Sequence, residues 1–254
     1  MIHKTLAIDA ETSPALSYHW GMRNQDFGLE QIKEPPRMLC FAARWQNQKR
    51  CMFYSEWTHS HEEMVRALYR LLDEADTVLH YNGATFDMPW CRTEIIDTVG
   101  YPPSPVAQID LWQQTRQFRL ISHKFEHVLT HLLKIEGKMA HTGFRLWRDV
   151  LDGDEKAQRL MRLYNMRDVD ALWDAYDPLL PWLKLPNANL FVKTDDGRPV
   201  CPNCGRSTLQ QRGVVRTQMS AFHRLWCNPS VGGCGKWSRE NKRIDGATVV
   251  GVPS

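Results

Sequence analysis

Four carboxylates, divided among three short motifs, most constrain how this chain can fold. The motifs are, in chain order, Ile8-Asp9-Ala10-Glu11-Thr12, Asn82-Gly83-Ala84-Thr85-Phe86-Asp87 and Tyr164-Asn165-Met166-Arg167-Asp168. Alternate side chains of a strand share a face, so Asp9 and Glu11 point the same way. Helical residues four apart also share a face, which joins Tyr164 to Asp168. The carboxylates that we predict to meet in one site are Asp9, Glu11, Asp87 and Asp168.

A site of four carboxylates needs cations. At about 4 Å, each pair of like charges costs roughly 1 kcal/mol in water and about 4 kcal/mol at an effective dielectric near 20. Oxygen-rich sites suit Mg²⁺ or Mn²⁺. Two such ions, roughly 3.5–4 Å apart, can activate a water and stabilise the attacking and leaving oxygens of a phosphoryl displacement. The motifs therefore predict two Mg²⁺ or Mn²⁺ ions and phosphodiester hydrolysis.

Tyr164 is expected to orient the attacking water rather than to act as a base. An unperturbed tyrosine has a pKa near 10, so only about 0.1% of it is ionised at pH 7. Asp110, at the end of a predicted strand, is a candidate for the edge of the site, whereas His80 and Tyr81 are expected in the core.

Apolar periodicity predicts an α/β chain with a mixed sheet. Strands are predicted over residues 4–9, 38–45, 51–54, 77–81 and 106–111. A capping box at Ser60 and Glu63 predicts the start of one helix. Further helices are predicted over residues 86–97, 125–135, 144–151 and 154–176.

Prolines and a turn sequence indicate a domain boundary. Four prolines fall between residues 177 and 200, at positions 178, 181, 186 and 199, and Asp195-Asp196-Gly197 predicts a turn. We therefore predict a catalytic domain at 1–185, a linker at 186–199 and a small β domain at 200–254.

The three motifs resemble those of the DEDD superfamily of 3′–5′ exonucleases, over roughly residues 4–185. Asp-x-Glu, Asn-x-x-x-Phe-Asp and Tyr-x-x-x-Asp occur in that family's order, and Tyr164 marks its tyrosine subclass, because Leu163 leaves no histidine in the alternative position. The stretch Gly143-Phe144-Arg145-Leu146-Trp147 resembles the sequences of one branch of these exonucleases, which is common in prokaryotes and their phages. The resemblance implies a ribonuclease H-like fold flanked by helices and metal ligation by the four carboxylates. It places Thr12, Asn82 and Phe86 near the terminal nucleotide.

Four of the seven cysteines form a second constellation. Cys201 and Cys204 make a CxxC knuckle, and Cys227 and Cys234 follow after a gap. Four thiolates suit one tetrahedral structural zinc, so the segment looks like a zinc ribbon. Its second pair is separated by six residues rather than two, which leaves His223 open as an alternative ligand, while Gly232 and Gly233 could fold the loop back.

The C-terminal segment is also basic. Residues 191–254 hold ten Lys and Arg against four Asp and Glu, whereas the remainder has an excess of acidic residues. Together with Phe222, Trp226 and Trp237, these cations give the mixture of basic and aromatic residues that binds single strands. Arg216 and Arg224 are the predicted contacts, although the aromatic rings could instead pack a small core.

The predicted function is a two-metal 3′–5′ exonuclease of single-stranded nucleic acid, with DNA favoured and with a polymerase or a replication or repair complex as a candidate partner. An RNA-trimming exonuclease, a ribonuclease H or junction-type endonuclease, and a non-catalytic nucleic-acid adaptor stay open. No apolar stretch approaches the roughly 20 residues of a membrane span, and no signal peptide is evident. We therefore expect a reducing, cytoplasmic setting in which the cysteines are thiols or ligands.

Overall fold

The computed structural model describes residues 3–21, 26–137, 143–186, 189–190 and 192–247. The chain divides into two units, Met1–Tyr176 and Asp177–Ser254. Residues 187, 188 and 191 of the predicted linker lie outside the described residues. The domain limits drawn from the sequence, at 185 and 200, remain a prediction.

Strands and helices of the first unit follow the predicted order. The strands are β1 (Thr5–Thr12), β2 (Leu16–Ser17), β3 (Ile32–Glu34), β4 (Met38–Trp45), β5 (Met52–Ser55), β6 (Thr77–His80) and β7 (Ala107–Asp110). The helices are α1 (His61–Glu74), α2 (Asp87–Thr98), α3 (Leu111–Thr115), α4 (Phe125–His127), α5 (Phe144–Leu151) and α6 (Glu155–Leu179). The capping box is confirmed, because the Glu63 N–H donates to Ser60 Oγ at 3.2 Å and the Ser60 N–H donates to Glu63 Oε2 at 2.8 Å.

The helix predicted over residues 125–135 forms, but most of it is not α-helical. Only its first turn is α-helical, and Val128–Leu133 form a wider π-helix that ends at Lys134, whose φ is 59°. The Thr130 hydroxyl donates to the Glu126 carbonyl at 2.8 Å. A side chain that bonds this carbonyl competes with the regular backbone ladder, which apolar periodicity does not reveal.

Five strands of the first unit form a mixed sheet in the order β5-β4-β1-β6-β7. The strands β1, β4 and β5 are antiparallel neighbours, whereas β6 runs parallel to both β1 and β7. The short strands β2 and β3 pair separately. The central strand β1 is therefore held on both sides along its first half.

Helices cover both faces of this sheet. On one face, Leu6, Ile8 and Phe41 pack in a core that α1 and α2 complete. On the other, Leu39 and Cys40 pack against residues of α5 and α6, which are Leu146, Val150, Ala157, Met161 and Tyr164. Each large apolar side chain buried in this way contributes about 1.5–3 kcal/mol. The result is the α/β arrangement of a mixed sheet flanked by helices that the sequence predicted.

A polar network fastens α1 and α2 to the start of β4. The buried Glu94 of α2 accepts the Met38 N–H at 2.6 Å and contacts the His61 ring at 2.9 Å. The second ring nitrogen of His61 lies 2.9 Å from Glu56, which also accepts the Arg37 Nε–H at 2.8 Å. Since Met38 pairs with Thr12, the network holds the end of β1 as well.

The second unit has a three-stranded antiparallel sheet in the order β10-β9-β8. Its strands are β8 (Leu209–Arg216), β9 (Ser220–Cys227) and β10 (Trp237–Gly246). Leu225 is the only leucine, isoleucine or valine buried in these three strands. Among the described residues, no helix is long and apolar enough to cross a membrane.

Replacing Glu94 with alanine should destabilise the first unit by about 1–3 kcal/mol, because the buried Met38 N–H loses its acceptor. Glu94→Gln should cost less, since an amide oxygen can still accept that hydrogen bond. The measurement is urea unfolding followed by far-ultraviolet circular dichroism. Glu62→Ala is the matched control, because Glu62 pairs with Arg66 on the exposed face of α1. Exposed pairs of this kind contribute less than about 1 kcal/mol. Equal losses for Glu94→Ala and Glu62→Ala would contradict the assigned role.

Candidate functional site

The first motif lies where β1 runs past its parallel neighbour. β6 pairs with β1 only as far as Ala7 and ends at His80, whereas β1 continues to Thr12. Beyond the end of β6, Asp87 takes the place of a strand partner for β1. Its Oδ1 accepts the Ala10 N–H at 2.9 Å. Because Ala10 lies between Asp9 and Glu11, this hydrogen bond joins the first two motifs.

Asp110 shapes the turn that carries Asp87 to this edge. Its Oδ1 accepts the N–H groups of Asn82 at 2.8 Å and of Trp112 at 3.0 Å. Asp110 thus caps α3 and orients the turn, while its role at the edge of the site stays a prediction. Gly83 permits the close approach, because a Cβ there would lie 2.6 Å from His80 Cγ and 2.7 Å from Asp87 Oδ2.

Helix α6 brings the third motif to the same strand end. The Asn165 amide is fully buried and donates to Asp9 Oδ2 at 2.6 Å and to the Asp9 carbonyl at 3.1 Å. Tyr164 precedes Asn165, and Asp168 follows it by one helical turn. Tyr164 packs against Trp147 with ring centroids 6.4 Å apart.

The four predicted carboxylates differ in exposure. Asp87 and Asp168 are only 5% and 3% exposed, while Asp9 and Glu11 are half-buried. Burial raises the pKa of the Cys40 thiol well above its usual value, and the charges of Glu11 and Asp9 raise it further. Cys40 pairs with Glu11 across the strands and packs in the same cluster as Tyr164. The carboxylates of Glu11 and Asp9 thus lie close enough to Cys40 to act on its thiol.

The chemistry of these donors fits Mg²⁺ or Mn²⁺. Carboxylate oxygens are the preferred ligands of both ions. Two of the carboxylates are also oriented from outside, Asp87 by the Ala10 N–H and Asp9 by the Asn165 amide. Such supporting hydrogen bonds orient metal ligands and raise metal affinity.

The residues predicted near the terminal nucleotide border this strand end. Thr12 follows a register shift after Glu11, and Asn82 and Phe86 are exposed in the turn before α2. Asn82 has a φ of 62°, a left-handed conformation that asparagine tolerates. His80 is fully buried, as predicted, and burial lowers its pKa. Burial raises the pKa of the half-buried Tyr81 to about 12.

The second unit brings all four predicted cysteines together. The sulfurs of Cys201, Cys204, Cys227 and Cys234 lie within 4.8 Å of one another. The six-residue spacing is accommodated because the loop folds back, with the Gly233 N–H donating to the Asn228 carbonyl at 2.7 Å. A Cβ on Gly233 would lie 2.5 Å from that oxygen. His223 is outside the cluster, and its ring contacts Gln211 at 2.6 Å.

The sulfur separations fit tetrahedral zinc. A Zn–S bond near 2.3 Å places the sulfurs of a tetrahedral site about 3.8 Å apart. The Cys201–Cys234 and Cys204–Cys227 sulfur distances are 3.6 Å and 3.7 Å. These two sulfur pairs are thus at the separation that one tetrahedral zinc ion would require.

Two features of the sites were missed from the sequence. Asn165 was part of a quoted motif, but nothing in its spacing indicated a contact with Asp9. Gly83 also stood in a quoted motif, and its tight packing against His80 and Asp87 depends on the folded turn.

A family model and one solved structure support the fold. A sequence model of the RNase H superfamily matches residues 28–180, a range that includes Asp87 and Asp168 and begins after Glu11. The fold is similar to that of the family B DNA polymerase from the hyperthermophilic archaeon Pyrobaculum calidifontis, with a TM-score of 0.52 and 18% identity over 71% of this chain and 25% of that chain. RNase D from Trypanosoma brucei gives a TM-score of 0.42 and 14% identity over 68% of this chain and 56% of that chain. The chain thus spans a quarter of the polymerase and just over half of that RNase D. No curated protein matches the chain.

Removing one cysteine should release zinc and unfold the second unit. We expect one zinc ion per wild-type chain and close to none for Cys227→Ser, because structural zinc supplies roughly 10–16 kcal/mol of binding free energy to such small units. Elemental analysis and circular dichroism measure the two effects. Cys51→Ser is the control, since Cys51 lies outside the cluster. Zinc-free wild-type protein with an intact C-terminal sheet would contradict the assignment.

Proposed function

Since the chain belongs to the RNase H superfamily, we propose that it is a metal-dependent 3′–5′ exonuclease. Its substrate is single-stranded nucleic acid, DNA in preference to RNA, and its products are nucleoside monophosphates. The family membership accounts for the fold of the first unit. The carboxylates near the end of β1 account for the proposed phosphodiester hydrolysis.

One observation carries this proposal. Two hydrogen bonds, from the Ala10 N–H to Asp87 and from the Asn165 amide to Asp9, draw three distant motifs to one strand end. A set of carboxylates gathered in this way has no simple structural purpose, because like charges destabilise each other. It is the donor set that a divalent-metal nuclease needs.

The residues of the site have separate tasks in this proposal. The metal ligands are Asp9, Glu11, Asp87 and Asp168. Two Mg²⁺ or Mn²⁺ ions bound by them would supply charge neutralisation and an activated water for phosphodiester hydrolysis. Asn165 holds the Asp9 carboxylate in place, and the hydroxyl of Tyr164 positions the attacking water. Thr12, Asn82 and Phe86 contact the terminal nucleotide.

Several finer features belong to the same proposal. Tyr164 places the chain in the tyrosine subclass of the DEDD exonucleases, in a branch of prokaryotic and phage type. The four cysteines hold one structural zinc in a C-terminal zinc ribbon that binds nucleic acid. The partner that we propose for a proofreading role is a polymerase or a replication or repair complex.

Strands labelled at the 5′ end test the activity. With Mg²⁺ or Mn²⁺, single-stranded DNA should shorten stepwise and release mononucleotides, faster than RNA of the same sequence. Asp168→Ala should lower the rate by at least about 10²-fold, since loss of a ligand costs no less than loss of its supporting partner. Asp174→Ala is the matched control, because Asp174 is exposed on the same helix and pairs with Arg167.

Other outcomes assign other functions. Internal cuts would favour a ribonuclease H or junction-type endonuclease, and preferential loss of RNA would favour an RNA-trimming exonuclease. Wild-type protein that binds strands but cuts none of them with either metal would favour a nucleic-acid adaptor.

Tyr164→Phe should lower kcat by about 10²-fold while KM changes little, because the water loses its positioning partner but the ligands remain. The ring still packs against Trp147, so the fold is kept. Steady-state kinetics on single-stranded DNA provide the measurement. Tyr176→Phe, a buried tyrosine on the same helix, is the control. An unchanged kcat for Tyr164→Phe would remove the hydroxyl from the mechanism.

A further inference from the structure

One face of the ribbon sheet carries both arginines and aromatic rings. Alternation along β9 places Phe222, Arg224 and Trp226 on the same face. The strand register sets Trp237 beside Trp226 and Arg239 beside Arg224. On β8, the Arg212 carbonyl accepts the Arg224 Nε–H at 3.0 Å. Arg212, Arg224 and Arg239 therefore form a row across three strands, which we call the arginine row.

Each arginine of the row lies over an aromatic ring. The guanidinium carbon of Arg212 is 4.4 Å from the centroid of Trp226, and that of Arg224 is 4.6 Å from Trp237. The guanidinium carbon of Arg239 is 3.8 Å from the centroid of Phe222. Trp226 is itself fixed, because its indole N–H donates to the Gly235 carbonyl at 3.1 Å. The stacking holds three flexible side chains in place before any ligand arrives.

The positive charge of the row is not neutralised within the described residues. In residues 192–247, none of its three arginines forms an ion pair with a carboxylate, and Arg239 contacts Glu240 only through the backbone carbonyl. Three neighbouring cations repel one another, so an anion that spans the row is favoured at this surface. A planar guanidinium on a ring keeps N–H groups at its edge, and these suit phosphate oxygens.

The stacking also changes what the rings can do. A ring face already covered by a guanidinium is not open to a nucleobase. Trp237 is the most exposed of the three aromatic residues, at 50%, yet Arg224 lies over its ring and the Trp226 ring stacks with its centroid 5.8 Å away. The rings therefore support the arginines, which differs both from base-stacking platforms and from a closed aromatic core.

We propose that the arginine row binds the phosphate backbone of single-stranded nucleic acid without reading or stacking on the bases. The identity of this polyanion rests on the proposed function. Arg224 belongs to the row, whereas Arg216 pairs with Ala221 and so projects from the opposite face of the sheet. Of the two arginines predicted from the sequence, this surface thus contains only one.

A strand without bases distinguishes phosphate contacts from stacking. Full-length, zinc-loaded protein carrying Asp168→Ala is titrated, without added Mg²⁺ or Mn²⁺, against fluorescent oligothymidylate and against an abasic strand of equal length. Phosphate binding predicts affinities within about threefold of each other. Base stacking is worth about 1–3 kcal/mol per base, so a tenfold or greater loss on the abasic strand would overturn the proposal.

Salt dependence and a charge-matched variant test the row itself. For single strands, the logarithm of affinity changes with that of salt by about 0.7 per phosphate contact. Replacing Arg212, Arg224 and Arg239 together with glutamine should reduce that slope by about 2 and lower affinity by at least about tenfold. The control removes the same charge from three exposed residues outside the row, which are Lys193, Arg198 and Lys242. Its slope should stay close to that of the parent, and equal losses in both triple variants would contradict the proposal.

Two further variants guard against loss of the fold. Trp237→Leu keeps all the charge but removes the support of Arg224, and it should weaken binding several-fold with one zinc still bound per chain. Replacing the three arginines with lysine also keeps the charge and should give an intermediate loss. If both bind like the parent, pre-organisation by stacking is wrong. Binding is measured without cleavage, so the two proposals can fail separately. A protein that binds strands but never cuts them would contradict the nuclease proposal and would still support phosphate binding by the arginine row.

Discussion

The hydrogen bond from the Ala10 N–H to Asp87 is the contact on which the candidate site depends. It exists because β6 ends at His80 while β1 continues, so a backbone donor in the middle of the sheet needs an acceptor that no strand supplies. Buried N–H groups left without a partner are costly. A carboxylate is therefore held at the strand end by the demands of the sheet itself. The same contact sets Asp87 beside the strand that carries Asp9 and Glu11.

The sequence predicted those parts of the fold and site that depend on local spacing. Each of these parts follows from the geometry of one element. They are the alternation of side chains on β1, the four-residue separation of Tyr164 and Asp168, and the capping box at Ser60. The contact between Asn165 and Asp9 joins residues 156 positions apart, so no local pattern reveals it. The π-helix was not predicted, because apolar periodicity over six residues does not distinguish it from an α-helix. Spacing thus predicted the members of the candidate site, while their support came from contacts between distant segments.

The two units satisfy their polar and apolar groups in different ways. The first unit buries large apolar side chains on both faces of its sheet. The free energy gained by that burial offsets the penalty of burying the carboxylates. The second has few apolar residues to bury, and its cysteines converge instead. A loop that folds back through Gly233 can tolerate an unusual spacing because the cysteine positions, rather than a core, determine its course. The spacing of the cysteines in the sequence did not show whether all four of them converge.

The exposed face of the small sheet shows how such a unit can carry aromatic residues without a core. Phe222, Trp226 and Trp237 would leave apolar surface open to water if nothing covered them. Arginines cover them at little cost, because a guanidinium is weakly hydrated and stacks well on a ring. The cover is charged, however, and three cations in a row are stable together only when their repulsion is screened or an anion lies across them. The arginines that shield the rings from water are thus also the groups that favour a polyanion at this face.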